Sequence, residues 1–66
     1  MRKLTYKIVE ETDRTQSIKW VEFITDRSPM WTESQYLRNR INTTMELVSD
    51  EETKETEPIS REVRLG

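Results

Sequence analysis

The chain has 66 residues, of which 32% are hydrophobic and 36% are charged, with a formal net charge of −2 and neither cysteine nor histidine. This length lies below the roughly 100 to 150 residues of a typical domain, so we expect one small domain, residues 1–66, with a small core. The missing cysteine and histidine exclude disulfides, thiolate metal sites and the commonest transition-metal ligand. Among the usual supports of a very small domain, only a partner chain remains.

The composition also bears on location and on the class of partner. No apolar run is long enough for a signal peptide or a membrane span, so we expect a cytoplasmic protein without membrane contact. The net charge of −2 argues against general nucleic-acid binding, because a basic surface normally supplies most of that affinity.

The first 25 residues predict an antiparallel hairpin. In the segment 2–11, Leu4, Tyr6 and Ile8 alternate with lysine and threonine, which is the period-2 pattern of a half-buried strand. A polar turn follows, and 18–25 is rich in β-branched and aromatic residues that favour a second strand.

The second predicted strand is apolar on both faces. Ile18, Trp20 and Ile24 share one face, whereas Val21 and Phe23 share the other. Strands of this kind are normally covered on both sides. Since the sequence predicts only one helix, we expect one face of the hairpin to need a cover from outside the chain.

A helix over 32–49 is predicted next. Thr32 suits the N-cap, Gln35 completes a capping box, and Trp31 with Tyr36 fits a hydrophobic staple. An apolar stripe then recurs at spacings of three and four residues, namely Leu37, Ile41, Thr44, Met45 and Val48.

The C-terminal part predicts a connector and a short strand. Residues 50–58 are acidic, lack large apolar side chains and end at Pro58, so they predict a solvated connector. Residues 59–65 alternate again and predict a possible third strand. The fold class is therefore α+β, with an antiparallel hairpin packed against one amphipathic helix in the order ββα(β).

No pattern in the sequence indicates catalysis. Without histidine and cysteine no familiar nucleophilic triad can be assembled, and the single glycine, Gly66, excludes a glycine-rich phosphate loop. The carboxylates at 10–11 and 50–52 are expected on the solvated surface. We therefore predict no enzymatic activity, no metal and no cofactor.

Protein binding is the first functional hypothesis. Tryptophan is enriched among residues that dominate interface energies, so Trp20, with Ile18 and Ile24 on the same strand face, is a candidate contact. Trp31 is a further candidate, although the staple role is the favoured interpretation for this residue. The hypothesis is a small inhibitor or regulator that acts by occlusion, with a partner protein or a second copy on this face and a homodimer as the expected oligomer.

Two alternatives belong to other classes. Arg38 and Arg40 could contact a small anionic ligand, such as a nucleotide, at a subunit interface. The same basic residues, together with lysines of the hairpin, could instead serve a nucleic-acid-binding regulator. Thermal shift with a nucleotide panel and salt-dependent retention on DNA would separate these alternatives from the first hypothesis.

Overall fold

The computed structural model describes residues 1–64 and confirms a small α+β fold. Its four strands form one antiparallel sheet in the order β3-β1-β2-β4. A single short helix lies between the second and third strands in the chain, so the order is ββαββ. The elements are β1 (Arg2–Glu11), β2 (Gln16–Thr25), α1 (Pro29–Leu37), β3 (Thr43–Glu52) and β4 (Ile59–Val63).

The predicted hairpin forms the centre of the sheet. β1 and β2 pair along their whole length, from Arg2 opposite Thr25 to Glu11 opposite Gln16. The turn between them is closed by the amide of Thr12, which donates to the carbonyl of Thr15 at 2.8 Å. β1 has its predicted bounds, and β2 begins two residues earlier than predicted.

The predicted start of the helix at Thr32 is wrong. Ser28 is the N-cap, and its hydroxyl accepts a hydrogen bond from the amide of Trp31 at 3.1 Å. Pro29 occupies the first turn, where a missing N–H costs nothing. Thr32 is buried inside the helix and donates to the carbonyl of Ser28 at 3.0 Å. Trp31 is therefore a helical residue and not the residue before the cap, so neither the capping box nor the staple forms as predicted.

The predicted continuation of the helix to residue 49 is also wrong. The helix ends at Leu37, Asn42 has a left-handed backbone (φ 54°), and the chain then forms β3. Met45 and Leu47 lie opposite Ile8 and Tyr6 of β1. Met45 and Leu47 fit a period of two as well as a helical stripe, and the β-branched residues of this segment favour a strand.

β3 contains an irregularity and includes the first residues of the predicted connector. Ser49 pairs with Thr5 and Leu47 with Tyr6, so Val48 is the extra residue of a β-bulge. Residues 50–52 belong to β3, which shortens the predicted connector 50–58 to 53–58. That connector passes the ends of β1 and β2 to reach β4.

The predicted C-terminal strand is present as β4, which pairs with β2 at the edge of the sheet. Leu65, within the predicted range 59–65, lies outside the described residues.

The core lies between the sheet and α1, on what we call the covered face. Leu4, Tyr6, Ile8 and Val21 are buried there, and Phe23 packs against them with Tyr36 and Met45. The rings of Tyr6, Phe23 and Tyr36 form two edge-to-face contacts, each with centroids 5.8 Å apart. Such contacts add to the burial of the rings themselves.

One polar contact ties the helix to this core. The hydroxyl of buried Tyr6 donates to Glu33 Oε2 at 3.0 Å and lies 3.3 Å from the carbonyl oxygen of Pro29. Burial, followed by the hydrogen bond to Glu33, raises the pKa of Tyr6. The helix is thus fixed to the central strand by a hydrogen bond as well as by packing.

Candidate binding surfaces

Within residues 1–64, no helix lies over the opposite side of the sheet, which we call the open face. Val9 lies opposite Ile18, and Lys7 lies opposite Trp20, which in turn lies opposite Val63 on β4. Ile18 is 53% exposed, while the other three apolar side chains of this group are half-buried. An apolar group made of Val9, Ile18, Trp20 and Val63 therefore faces solvent across three adjacent strands.

Lys7 partly covers Trp20 within the chain. The ammonium of Lys7 lies 6.0 Å from the centroid of its ring, at the limit of a cation–π contact. On its other side, Lys7 lies opposite Glu46 of β3. The ring of Trp20 is therefore the centre of a patch whose rim is charged.

A cluster of ion pairs closes the other end of the open face. Glu22 is buried, and its carboxylate accepts a hydrogen bond from Arg61 Nε at 2.9 Å and lies 3.6 Å from Lys3 Nζ. The hydrogen bond to Arg61 lowers the pKa of Glu22, against the opposing effect of burial, and Lys3 adds to the lowering. Arg61 Nη2 also lies 3.8 Å from Glu55 of the connector. The cluster thus anchors β4 and the connector to the hairpin.

Ile24 is not available on the open face. Ile24 is four residues from Trp20 on the same strand, so the two side chains belong to the same face, yet Ile24 is only 1% exposed. It lies beside Ile59 of β4 and near Pro58 of the connector. The expectation that Ile24 would be an exposed contact is therefore wrong, because this chain covers it.

A groove runs between the start of the helix and the start of β4. It has a volume of about 290 Å³, and its lining includes Trp31, Pro58 and Ile59 together with Phe23 and Ile24 of β2. Trp31 is 44% and Ile59 38% exposed. The four residues predicted to bind protein are thus divided: Ile18 and Trp20 belong to the open face, and Ile24 and Trp31 to the groove.

The two arginines predicted to bind an anion do not lie on a common helix face, because α1 ends before them. Arg40 lies over the ring of Tyr36, 4.0 Å from its centroid, and its Nη1 donates to the Tyr36 carbonyl at 2.7 Å. Arg38 is the exposed C-cap residue. Anion binding by this pair stays a prediction.

Reasoning from the sequence missed the ion-pair cluster and the groove. The cluster had a signal, because Glu22 stands between Trp20 and Ile24 on one face of an apolar strand, and a carboxylate there needs a cation beside it. Its partners came from residues 3 and 61, far away in the chain. The groove had no local signal, since the connector brings its two walls together.

Within residues 1–64, no group of three or more side chains is arranged to hold a metal ion. No helix in this part of the chain is long and apolar enough to cross a membrane. Comparisons with protein-family models, with curated proteins and with solved structures found no match. The open face and the groove are therefore the candidate binding surfaces of the described chain.

Proposed function

We propose that this protein is a small, non-enzymatic protein-binding module that works as a homodimer, with the open faces of two copies packed against each other. The observation that carries the proposal is the apolar group on the open face, in which Ile18 is 53% exposed and Trp20 is half-buried. Tryptophan at the centre of an otherwise uncovered sheet face is typical of an interface.

The size of the open face sets an upper limit on the interface of the proposed dimer. Three strands of ten residues and one of five span roughly 550 Å² in projection, given strands about 4.8 Å apart and about 3.3 Å per residue. A standard interface buries about 800 Å² of accessible surface on each partner, which is about 15% of the 5195 Å² of this chain. Because the end of the face around Ile24 and Glu22 is already buried within the chain, this projection is an upper limit, and a dimer formed here would have an interface at or below the standard size.

The charges on the open face are compatible with a second copy. In a two-fold interface the same patch meets itself, so an unbalanced charge would repel. The face carries both signs in nearly equal number, and its buried carboxylate is already neutralised by Arg61 and Lys3. Its cations are Lys3, Lys7 and Arg61, and its carboxylates are Glu11, Glu22, Glu46 and Glu51.

A dimer of this kind supports a role as an inhibitor or regulator. Packing the open faces together would bury Ile18 and Trp20 but leave α1, with the partly exposed ring of Trp31, in solvent on the other side of each sheet. The module would then present two copies of the same binding surface, and a larger protein bound there would be occluded.

Sedimentation equilibrium on the wild type and on two matched variants tests the proposal. The wild type should be a dimer at high micromolar concentration. Ile18→Glu should shift it to monomer, because two buried carboxylates would face each other across the interface. Ile41→Glu is the control, since Ile41 is 85% exposed in the loop before β3, and it should leave the dimer unchanged.

Two outcomes would contradict the proposal. A wild type that remains monomeric at high micromolar concentration would show that the proposed dimer does not form. A dimer that Ile41→Glu dissociates as well as Ile18→Glu does would place the interface elsewhere than on the open face. Circular dichroism of both variants checks that each is folded.

A further inference from the structure

We propose that the docking of β4 onto β2 is coupled to dimer formation: β4 opens locally in the monomer, and a second copy on the open face holds it closed. This inference rests on the open-face dimer proposed above and adds a regulation of that interface. It follows from the weak attachment of β4, from the side chains that β4 brings to the open face, and from the buried ion pair that holds it.

β4 is the strand least attached to the rest of the fold. Within residues 1–64 it pairs only with β2, over five residues, whereas β1 and β2 pair over ten. Four of its five residues are exposed, and Val63 is half-buried. Segments with few buried apolar contacts and solvent-exposed backbone hydrogen bonds open at a lower free energy than the core. We therefore expect β4 to open while the central hairpin stays folded.

The connector does little to hold β4 in place. It is attached at its start, where the amide of Thr53 donates to the carbonyl of Met1 at 3.0 Å. Residues 54–58 are all exposed. The contact of Glu55 with Arg61, at 3.8 Å, joins the connector to β4 itself. This part of the connector can therefore leave the sheet together with β4, and it buries no apolar side chain that would oppose the movement.

When β4 is closed, it forms part of the open face. Three of its residues lie directly opposite open-face residues of β2, namely Ile59 opposite Ile24, Arg61 opposite Glu22 and Val63 opposite Trp20. Residues directly opposite each other in a sheet point to the same side. Ile59 is 38% exposed, so the closed strand offers apolar surface to a second copy. A dimer would lose this surface if β4 opened.

A second copy should therefore favour the closed strand. A partner shifts a two-state equilibrium toward the state with which it makes the better contacts. The coupling is reciprocal, so an open β4 weakens the dimer to the extent that the dimer closes β4. Couplings of this kind usually change an equilibrium constant by about 5- to 150-fold. We expect dimer formation to lower the equilibrium constant for opening of β4 by a factor in this range.

The ion pair of Glu22 with Arg61 holds β4 closed from below the surface. Arg61 Nε donates to Glu22 Oε2 at 2.9 Å, and Glu22 is buried. Opening of β4 breaks this hydrogen bond and leaves the carboxylate with Lys3, 3.6 Å away. Because Glu22 has little exposed surface of its own, a substitution there changes the attachment of β4 with little change to the surface that a second copy would contact.

Hydrogen exchange followed by NMR tests the coupling on the full chain. Amides of β4 and β1 are compared at one protein concentration below the dimerisation range and at one above it, as located by sedimentation. In the monomer, β4 amides should be protected at least about tenfold less than β1 amides. In the dimer, the protection of β4 should rise at least about fivefold. Ile18→Glu, at a position outside the pairing of β2 with β4, should show no such rise.

Two matched substitutions test the role of the buried ion pair. Glu22→Gln should lower the protection of β4 in the monomer about fivefold, because Arg61 loses its charged acceptor. Glu46→Gln removes the same charge from an exposed position of the open face on β3 and should leave the protection of β4 unchanged.

Each contrary result has a distinct meaning. A dimer in which β4 is protected no better than in the monomer would overturn the coupling and leave the open-face dimer standing, whereas a wild type that stays monomeric would overturn both. Equal protection of β4 and β1 in the monomer would show that β4 does not open by itself and would overturn the inference. Equal effects of Glu22→Gln and Glu46→Gln would overturn the role of the ion pair.

Discussion

The two faces of the sheet are formed by the same strands, yet they differ in how far their apolar side chains are buried. On the covered face, Leu4, Tyr6 and Ile8 are fully buried beneath α1. On the open face, Ile18 is 53% exposed and Trp20 is half-buried. Alternation along a strand decides which residues share a face, but the rest of the fold decides whether that face is covered. The open face is where this chain leaves apolar surface for a partner.

A second contrast lies within the open face itself. Ile24 and Ile18 belong to the same strand and point to the same side, but only Ile24 is buried. Ile24 lies beside Ile59 of β4 and near Pro58 of the connector, whereas the pairing of β4 with β2 stops at Trp20 and leaves Ile18 without a neighbour on that side. The extent of β4 therefore determines which part of the face remains available.

The largest expected effect comes from truncating the same residue type on each face. Ile8→Ala should lower the free energy of unfolding by about 2 to 5 kcal/mol, because it leaves a cavity in the core. Ile18→Ala should cost much less in the monomer, since Ile18 is already half in water. Urea denaturation at protein concentrations below those of self-association measures both values. Equal losses would mean that the two faces do not differ as described.

The next largest loss of stability is expected when the hydrogen bond between Tyr6 and the helix is removed. Tyr6→Phe removes the donor to Glu33 and should cost about 1.5 to 3 kcal/mol, the range for hydrogen bonds to charged groups. Tyr36→Phe keeps the ring contact with Phe23 and should cost less, because Tyr36 is only half-buried. Thermal and urea unfolding of both variants provide the comparison. A larger loss for Tyr36→Phe than for Tyr6→Phe would contradict the expected contribution of the Tyr6 hydrogen bond.

Removing the N-cap of α1 should cause a smaller loss of stability. Ser28→Ala should lower the free energy of unfolding by about 1 kcal/mol, because the amide of Trp31 loses its acceptor. Ser34→Ala is the control at an exposed position of the same helix and should cause no loss. If the two variants unfold at the same midpoint, Ser28 is not the cap.

The pH dependence of stability tests the ion-pair cluster on the open face. The folded-state pKa of Glu22 is lowered, so its ion pairs stabilise the fold above the unfolded-state value near 4.5. This stabilisation is lost as the pH falls through the lower, folded-state pKa. Glu22→Gln should therefore flatten the acid limb of a plot of melting temperature against pH. Arg61→Met should act in the same direction, and an unchanged limb in both variants would rule out the cluster as its source.

The sequence predicted the features that depend on local alternation. These are the hairpin, the apolar character of both faces of β2 and the C-terminal strand. It failed for residues 38–49, because a short run in which Met45, Leu47 and Val48 recur fits two periods. The pairing with β1, which lies some 40 residues away in the chain, decides between them. Local propensity carries no information about such a partner.

The candidate site was predictable to a similar extent. The pattern of β2 was enough to single out Ile18 and Trp20 as a shared face. The burial of Ile24 and the groove beside Trp31 both depend on the path of the connector, which brings residues 58–61 next to residues 22–25. Contacts between segments so distant in the chain follow from the fold and not from the spacing of residues.

The burial of Trp20 by a second copy is the central claim, and the concentration dependence of its fluorescence tests it most directly. In Trp31→Phe, Trp20 is the only tryptophan. Its emission should move to shorter wavelength as the protein concentration rises through the range in which sedimentation shows dimers, because dimer formation removes water from the ring. An emission maximum that stays constant while dimers form would show that the open face remains in solvent, which would contradict the account.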